Sequence, residues 1–267
     1  MEYKHTDFDN SVNSPTQSHF FELIKYLAGF AVFVAVLYFS LGLISSAIIP
    51  YISPKTERSL WGNYANGKLA KSFGEEVQDN KKLQQLLDSI PKDGLPDYGG
   101  YKIFILKDEE PNAFAAAGGY IFVTTGLLEM VKSENALVFI LGHELGHFKN
   151  RDQLKGLGRG LAIMLVQLLL FGQDTSALSD GTYGFELALS RQQEEEADKV
   201  GLSLLNKKYG QCAGAFELFE KLNEKHKSSK YLKYFSTHPH DEDRIKTLQK
   251  LIKKQNCQIK DITPLSL

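Results

Sequence analysis

The sequence predicts a mainly α-helical domain with a small β-sheet, set behind one membrane-spanning helix, and three observations carry that reading. An uncharged run of twenty-five residues extends from Tyr26 to Pro50. Two short stretches, Tyr101–Leu106 and Tyr120–Thr125, are rich in β-branched and aromatic residues, the composition of strands. Several longer stretches repeat apolar residues at intervals of three and four, the spacing of one helix face. The length of 267 residues allows one sizeable core with small appendages. Hydrophobic residues make up 43% and charged residues 24%, which fits a folded chain and not a disordered one. The formal charge of -1 sets up no field for nucleic acid, so no nucleic-acid partner is expected.

Residues 1–25 are polar, include Pro15 and show no core pattern, so they read as an exposed tail. Residues 26–50 follow as the anchor. At about 1.5 Å rise per residue, roughly twenty residues cross the hydrocarbon layer. The run is apolar on all sides, and Tyr26 and Tyr51 stand where amphipathic rings suit the interface. A cleaved signal peptide is the rival reading, kept open by Ser45–Ala47, and a buried core helix is another. Lys4 and Lys25 precede the run, whereas Lys55, Arg58, Lys68 and Lys71 follow it, and this count alone places the large domain in the cytoplasm.

Beyond the anchor, residues 55–90 read as helical, with Leu60, Tyr64, Leu69 and Phe73 on broad faces and Leu83, Leu86 and Leu87 on a second short helix. Residues 91–100 form a loop by their Pro and Gly content. The two strands are joined by a connection the length of a long hairpin loop, which predicts an antiparallel pair with an edge open to an extended peptide. Helices are expected over 133–150, where Ser133 caps the start and Ala136, Phe139 and Ile140 form the apolar face, and over 186–205 and 242–254. The apolar run 160–172 is too short for a full span and reads as a packed helix or a membrane-facing lip. Cys212 and Cys257 read as two free, partly buried thiols, since their spacing alone establishes no pairing.

Three motifs carry chemistry. In "HELGH", His143 and His147 lie four apart, so on a helix they rise on one face and can hold one zinc ion. Glu144 then projects beside the metal, where a carboxylate can take a proton from an attacking water. In "EEEAD", Glu194 and Asp198 lie one turn apart; one of them can complete the ligand set while the other orients a histidine. In "STHP", His238 sits in a restricted loop from which it can stabilise an oxyanion or occupy the open metal position. Asp241 or Asp243 can cap the helix that follows.

Together these segments resemble the M48 family of zinc metallopeptidases over about residues 56 to 254. The resemblance implies a zincin-like metallopeptidase domain at 56–255, a C-terminal tail at 256–267 and one Zn(2+) per chain. It implies metal ligation by His143, His147 and Glu194, catalysis by Glu144 and His238, and support from Asp198 and Arg244. The stretch "PNAFAAAGGYIFVTT" is similar to the family's strand and loop beside the cleft, which makes Gly118, Gly119, Tyr120, Ile121, Phe122 and Val123 the expected peptide-binding residues. Ala117 stands where the family usually has Pro. The implied function is a zinc endopeptidase acting on membrane-associated or misfolded proteins, with a regulatory or adaptor protein as a further partner. Its implied setting is the periplasmic face of a bacterial inner membrane, as in the smaller bacterial branch. A non-catalytic adaptor that keeps zinc and binds unfolded chains is the alternative, and a small-molecule hydrolase is a third reading.

Overall fold

A computed structural model describes residues 19–63, 77–156, 189–224, 238 and 244–267. The chain enters on α1, His19–Ile48, which starts inside the stretch expected to be tail and carries seven more residues than the uncharged run at its N-terminal end. Among the described residues, one helix is therefore long and apolar enough to cross a membrane, and none of its most apolar window is buried against the rest of them. A single 3-10 turn at Ile49–Tyr51 leads into α2, Pro54–Asn63. There Leu60, expected on a packed face, is exposed, and Tyr64, Leu69 and Phe73 lie outside the described residues.

Among the described residues the sheet has four strands: β1 Val77–Gln78, β2 Lys102–Leu106, β3 Ala113–Ala116 and β4 Tyr120–Thr124. Their spatial order is β1-β2-β4-β3. The expected antiparallel hairpin is not found. β2 and β4 run parallel, because the connection between them is long enough to form a strand of its own. That strand, β3, folds back antiparallel to β4 and takes the edge. Phe122 stacks between Phe104 and Phe114 at centroid distances of 5.6 and 5.2 Å, covering one face of the sheet.

Helices pack on the other face. α3, Lys81–Ser89, is capped by the Asn80 side chain and buries Leu83, Leu86 and Leu87 as the spacing predicts. α4, Thr125–Met130, is capped by Thr124 at the end of β4. α5, Glu134–Asn150, starts on the Ser133 cap and is buried without interruption from Asn135 to Phe148. The expected one-sided apolar face is thus too narrow a description, for α5 is the central helix of the domain. α6, Arg191–Tyr209, opens with a capping box between Ser190 and Gln193 and closes on Gly210 at φ 64°. α7, Glu217–Glu224, and α8, Arg244–Lys254, complete the core, with Leu218, Phe219 and Leu248 fully enclosed.

One expectation concerning the C-terminal end is corrected. Cys212 and Cys257 form a disulfide across 45 residues of chain, so neither is a free thiol. The segment 256–267, expected as a C-terminal tail, is tied back to the start of α5. The Glu134 N–H donates to the Thr263 carbonyl at 2.8 Å, and the Leu265 N–H to the Lys132 carbonyl at 2.9 Å. Those bonds engage an N–H that the first turn of α5 cannot satisfy internally. The run 160–172 and the capping candidates Asp241 and Asp243 lie outside the described residues.

Candidate metal centre

Backbone contact between two helices builds the centre. A Cβ on Gly146 would stand 2.7 Å from the Ala197 Cα, and one on Gly142 3.0 Å from the Gly201 Cα. Only missing side chains permit this approach of α5 to α6, so the small residues inside and beside "HELGH" are as constrained as its histidines. The approach delivers Glu194 to the histidine face of α5, with His143, His147 and Glu194 each about 2% exposed.

The donor spacing can be tested against zinc. Two ligand atoms about 2.0–2.1 Å from a tetrahedral ion stand roughly 3.3–3.4 Å apart. His143 Nε2 and His147 Nε2 are 3.1 Å apart, and each is 3.5 Å from a Glu194 oxygen. His238 adds a fourth corner, its Nδ1 lying 3.3 Å from His143 Nε2 and 3.1 Å from Glu194 Oε1. All four donor atoms fall within 4.8 Å of one another and every residue is buried. A single zinc ion fits this set by donor chemistry and by spacing.

Supporting groups fix the ligands. His143 Nδ1 donates to Asp198 Oδ1 at 2.9 Å, which leaves Nε2 as the free lone pair. Asp198 is in turn gripped by Arg244 through Nε at 2.9 Å and Nη2 at 2.8 Å, while Arg244 Nη1 reaches Glu194 Oε2 at 2.9 Å. His147 Nδ1 donates to Asp152 Oδ2 at 3.1 Å, and Gln193 Nε2 donates to Asp152 Oδ1 at 2.8 Å. Sequence reading missed Asp152 and Gln193. The available signal was an acid just past the end of the metal helix, but it required knowing that the chain turns back there. Arg151 makes that turn at φ 56°, in the left-handed region.

The electrostatics match the chemistry. Burial drives His143 below the ordinary histidine value against the pull of Asp198 and Glu194, which keeps the ring neutral as metal binding requires. For Glu194, burial alone would raise the carboxyl, yet His238, His143 and Arg244 together hold it well below the usual range. Asp198 follows the same balance, lowered to about 2 chiefly because Arg244 outweighs burial. Glu144 is 1% exposed, and neither carboxylate oxygen has a hydrogen-bond partner among the described residues. A buried carboxylate left this way is costly unless something arrives to use it. His238 Nε2 lies 3.5 Å from Glu144 Oε1 and donates to the Ala113 carbonyl at 3.2 Å.

The expected peptide-binding stretch is placed differently. Tyr120 to Val123 form an inner strand with β2 on one side and β3 on the other, so their backbone is not an open edge. Gly118 and Gly119 make the β3–β4 turn at φ 88° and 82°. Among the described residues, the outer edge of the sheet beside His238 belongs to β3.

Helical fold, mixed sheet and a two-histidine, one-glutamate cluster beside a buried glutamate define a zinc-dependent metalloendopeptidase active-site arrangement. Residues 77–252 match the peptidase family M48, and the chain belongs to that family. Over 156 residues it is 31% identical to mitochondrial metalloendopeptidase OMA1 of Schizosaccharomyces pombe, covering 56% of this chain and 46% of that protein. It is 32% identical over 160 residues to metalloprotease LoiP of Escherichia coli, covering 56% and 61%. Against a protease HtpX homolog of Salinibacter ruber it is 26% identical over 234 residues, covering 72% and 83%. The chain thus spans about half the length of the first of these relatives. Mitochondrial and bacterial proteins stand side by side, so the likeness fixes the family and not the smaller bacterial branch.

Proposed function

We propose that the protein is a membrane-anchored zinc endopeptidase that cleaves membrane-associated or misfolded polypeptides. The observation that carries this reading is Glu144, a buried carboxylate with no hydrogen-bond partner among the described residues, standing beside a three-residue ligand set with zinc spacing. His143, His147 and Glu194 would hold the metal. When bound, zinc supplies Lewis acidity toward the peptide carbonyl and the attacking water. Glu144 accepts the water's proton and returns it to the leaving amine nitrogen. Asp198 and Asp152 keep the two imidazoles in the tautomer that presents Nε2, and Arg244 holds Asp198 and Glu194 in register.

His238 is proposed as the oxyanion donor. Its ring stands in the fourth corner, where a substrate carbonyl would have to enter, so it must swing aside and can then donate to the oxygen as charge develops. Burial would lower its pKa, but Glu194 and Glu144 raise it to about 9, which supports a proton-bearing ring. The edge strand β3 supports recognition of an extended peptide. Asn112 turns its backbone toward β4, and strand alternation then turns the N–H groups of Ala113 and Ala115 outward. This moves the peptide-binding assignment from β4 to its neighbour.

The anchor and the disulfide support a single-pass protein with its catalytic domain on the oxidising, periplasmic side of a bacterial inner membrane. The basic residues after the anchor argue for the opposite side, but a persistent disulfide is the stronger constraint. Protease protection in right-side-out membranes reads the orientation directly. The activity is tested with the full-length purified chain and an unfolded protein as substrate. Wild type should cleave, whereas Glu144→Gln should bind zinc and cleave at least 100-fold more slowly; equal cleavage by both sinks the role given to Glu144.

A further inference from the structure

The segment joining the anchor to the sheet is built into the metal centre. Ile49, at the end of the apolar run, is 6% exposed and packs with Ala117 and Leu154. Eight residues on, Glu57 is 1% exposed, although it follows directly on a membrane-length helix. Its Oε1 accepts the Gly118 N–H at 2.7 Å, and its Oε2 accepts Arg151 Nη2 at 2.6 Å and the Tyr98 hydroxyl at 3.1 Å. Arg151 also donates from Nη1 to the Ile52 carbonyl at 3.0 Å.

Arg151 is the residue that ends α5 in the left-handed region, a conformation uncommon for a side chain of its size. The next residue is Asp152, whose carboxylate faces His147. The side chain of Arg151 thus ties the end of the metal helix to α2, and its backbone sets where Asp152 stands. Residues 49–58 lie outside the stretch 77–252 that matches the family, whereas Arg151 and Asp152 lie within it.

We infer that Glu57 and Arg151 are positioning residues of the metal centre: through them the membrane-proximal helix holds Asp152 against His147, and the anchor side of the protein sets how tightly zinc is bound. The inference rests on the reading of His147 as a zinc ligand. It makes α2 part of the catalytic unit and not a tether. Any displacement of α2 relative to α5 would act first on the His147 corner, through one peptide unit.

The test uses the full-length chain in detergent micelles, stripped of metal and titrated with zinc chloride against a chromophoric chelator. Glu57→Gln keeps the side-chain shape and the acceptor for Gly118. Arg151→Gly suits the left-handed backbone and removes only the tie. Each is expected to weaken zinc affinity roughly ten- to a hundred-fold, the range for groups that orient a ligand. Neither should add to the loss caused by Asp152→Asn, since all three act along one route. Excess zinc should restore the cleavage rate of both, which a general loss of structure would not allow. In the metal-free chain, amide exchange over residues 148–156 should quicken in both. Unchanged affinity, or losses that multiply with Asp152→Asn, overturns the inference. Should Glu57→Gln fail to fold, Arg151→Gly decides on the same readings. A wild-type chain that does not bind zinc would instead sink the reading of the site itself.

Discussion

Replacing Gly146 with Ala adds one methyl group inside "HELGH" without touching a ligand or the catalytic carboxylate, and it should still damage metal binding. The new Cβ would lie 2.7 Å from the Ala197 Cα, 3.0 Å from the Ala197 carbonyl oxygen and 3.1 Å from the Val200 Cβ. Ordinary contact begins at 3.4 Å, so α5 and α6 must part by about 3.4 − 2.7 = 0.7 Å at this point. Backbone is met on the α6 side, so no side chain can turn away to absorb the shift. Glu194 sits one turn before Ala197 on α6 and moves with it. Metal–ligand distances tolerate only about 0.2 Å. Overpacking of this kind costs about 1–3 kcal/mol, of which the better helix propensity of Ala returns up to about 1 kcal/mol. The metal-free protein should therefore lose about 0–3 kcal/mol in denaturant unfolding, while zinc affinity, read by chelator competition, falls at least about tenfold, or 1.4 kcal/mol. Zinc binding by Gly146→Ala within twofold of wild type would refute the claim that backbone contact between these helices places the third ligand.

Three further outcomes follow from the same geometry. The carboxyl of Asp198, lowered from 3.8 to about 2 as Arg244 and His143 outweigh burial, contributes stability that is present above pH 3.8 and lost as the pH falls through about 2. Acid titration of the metal-free chain should show a loss of about 2 kcal/mol in that window, and Asp198→Asn should remove that part of the pH dependence. Cys212→Ser opens a loop of 45 residues, and the chain-entropy relation puts the cost at about 4 kcal/mol as an upper figure, read as a lower Tm that reduction of wild type should reproduce. Ala115→Pro removes an outward N–H from the edge strand without breaking the ladder to β4, so KM for an extended peptide should rise several-fold while zinc affinity stays unchanged. An unchanged KM would move peptide recognition away from β3.

What the sequence discloses and what it hides divide along a physical line. Local spacing shows the helix of "HELGH", its Ser133 cap and the one-turn interval between Glu194 and Asp198, because each depends only on neighbours along the chain. Partners set by long-range folding are another matter. The stretch between β2 and β4 reads as a loop because "EEPN" interrupts it, yet "AFAA" after that interruption pairs with β4 and converts a hairpin into a parallel pair. Alanine is a poor strand former, so nothing local marks β3 as the edge. Asp152 is hidden for a similar reason. Only the left-handed turn at Arg151 brings it back to His147, and a left-handed arginine has no sequence signature. The disulfide closes 45 residues, a separation from which proximity is not deducible.

The charges and donors of the centre argue for the identity of its ion. Among the described residues, Glu144, Glu194, Asp198 and Asp152 bring four buried carboxylates to one site. Against them stand the Arg244 guanidinium, the His238 ring, whose pKa is raised to about 9, and the partly exposed Lys155 ammonium 3.4 Å from Asp152. Taken as formal charges, the metal-free set carries -1 in a volume from which water is nearly excluded. Arg151 does not change that sum, because Glu57 already pairs with it. Buried charge of one sign is costly when uncompensated, and hydrogen bonds to neutral donors such as Gln193 soften the cost without cancelling the sum. A bound cation is therefore favoured at this site. The donors select further: two neutral imidazole nitrogens and one carboxylate suit zinc, whereas calcium or magnesium would demand more oxygen ligands than these residues provide.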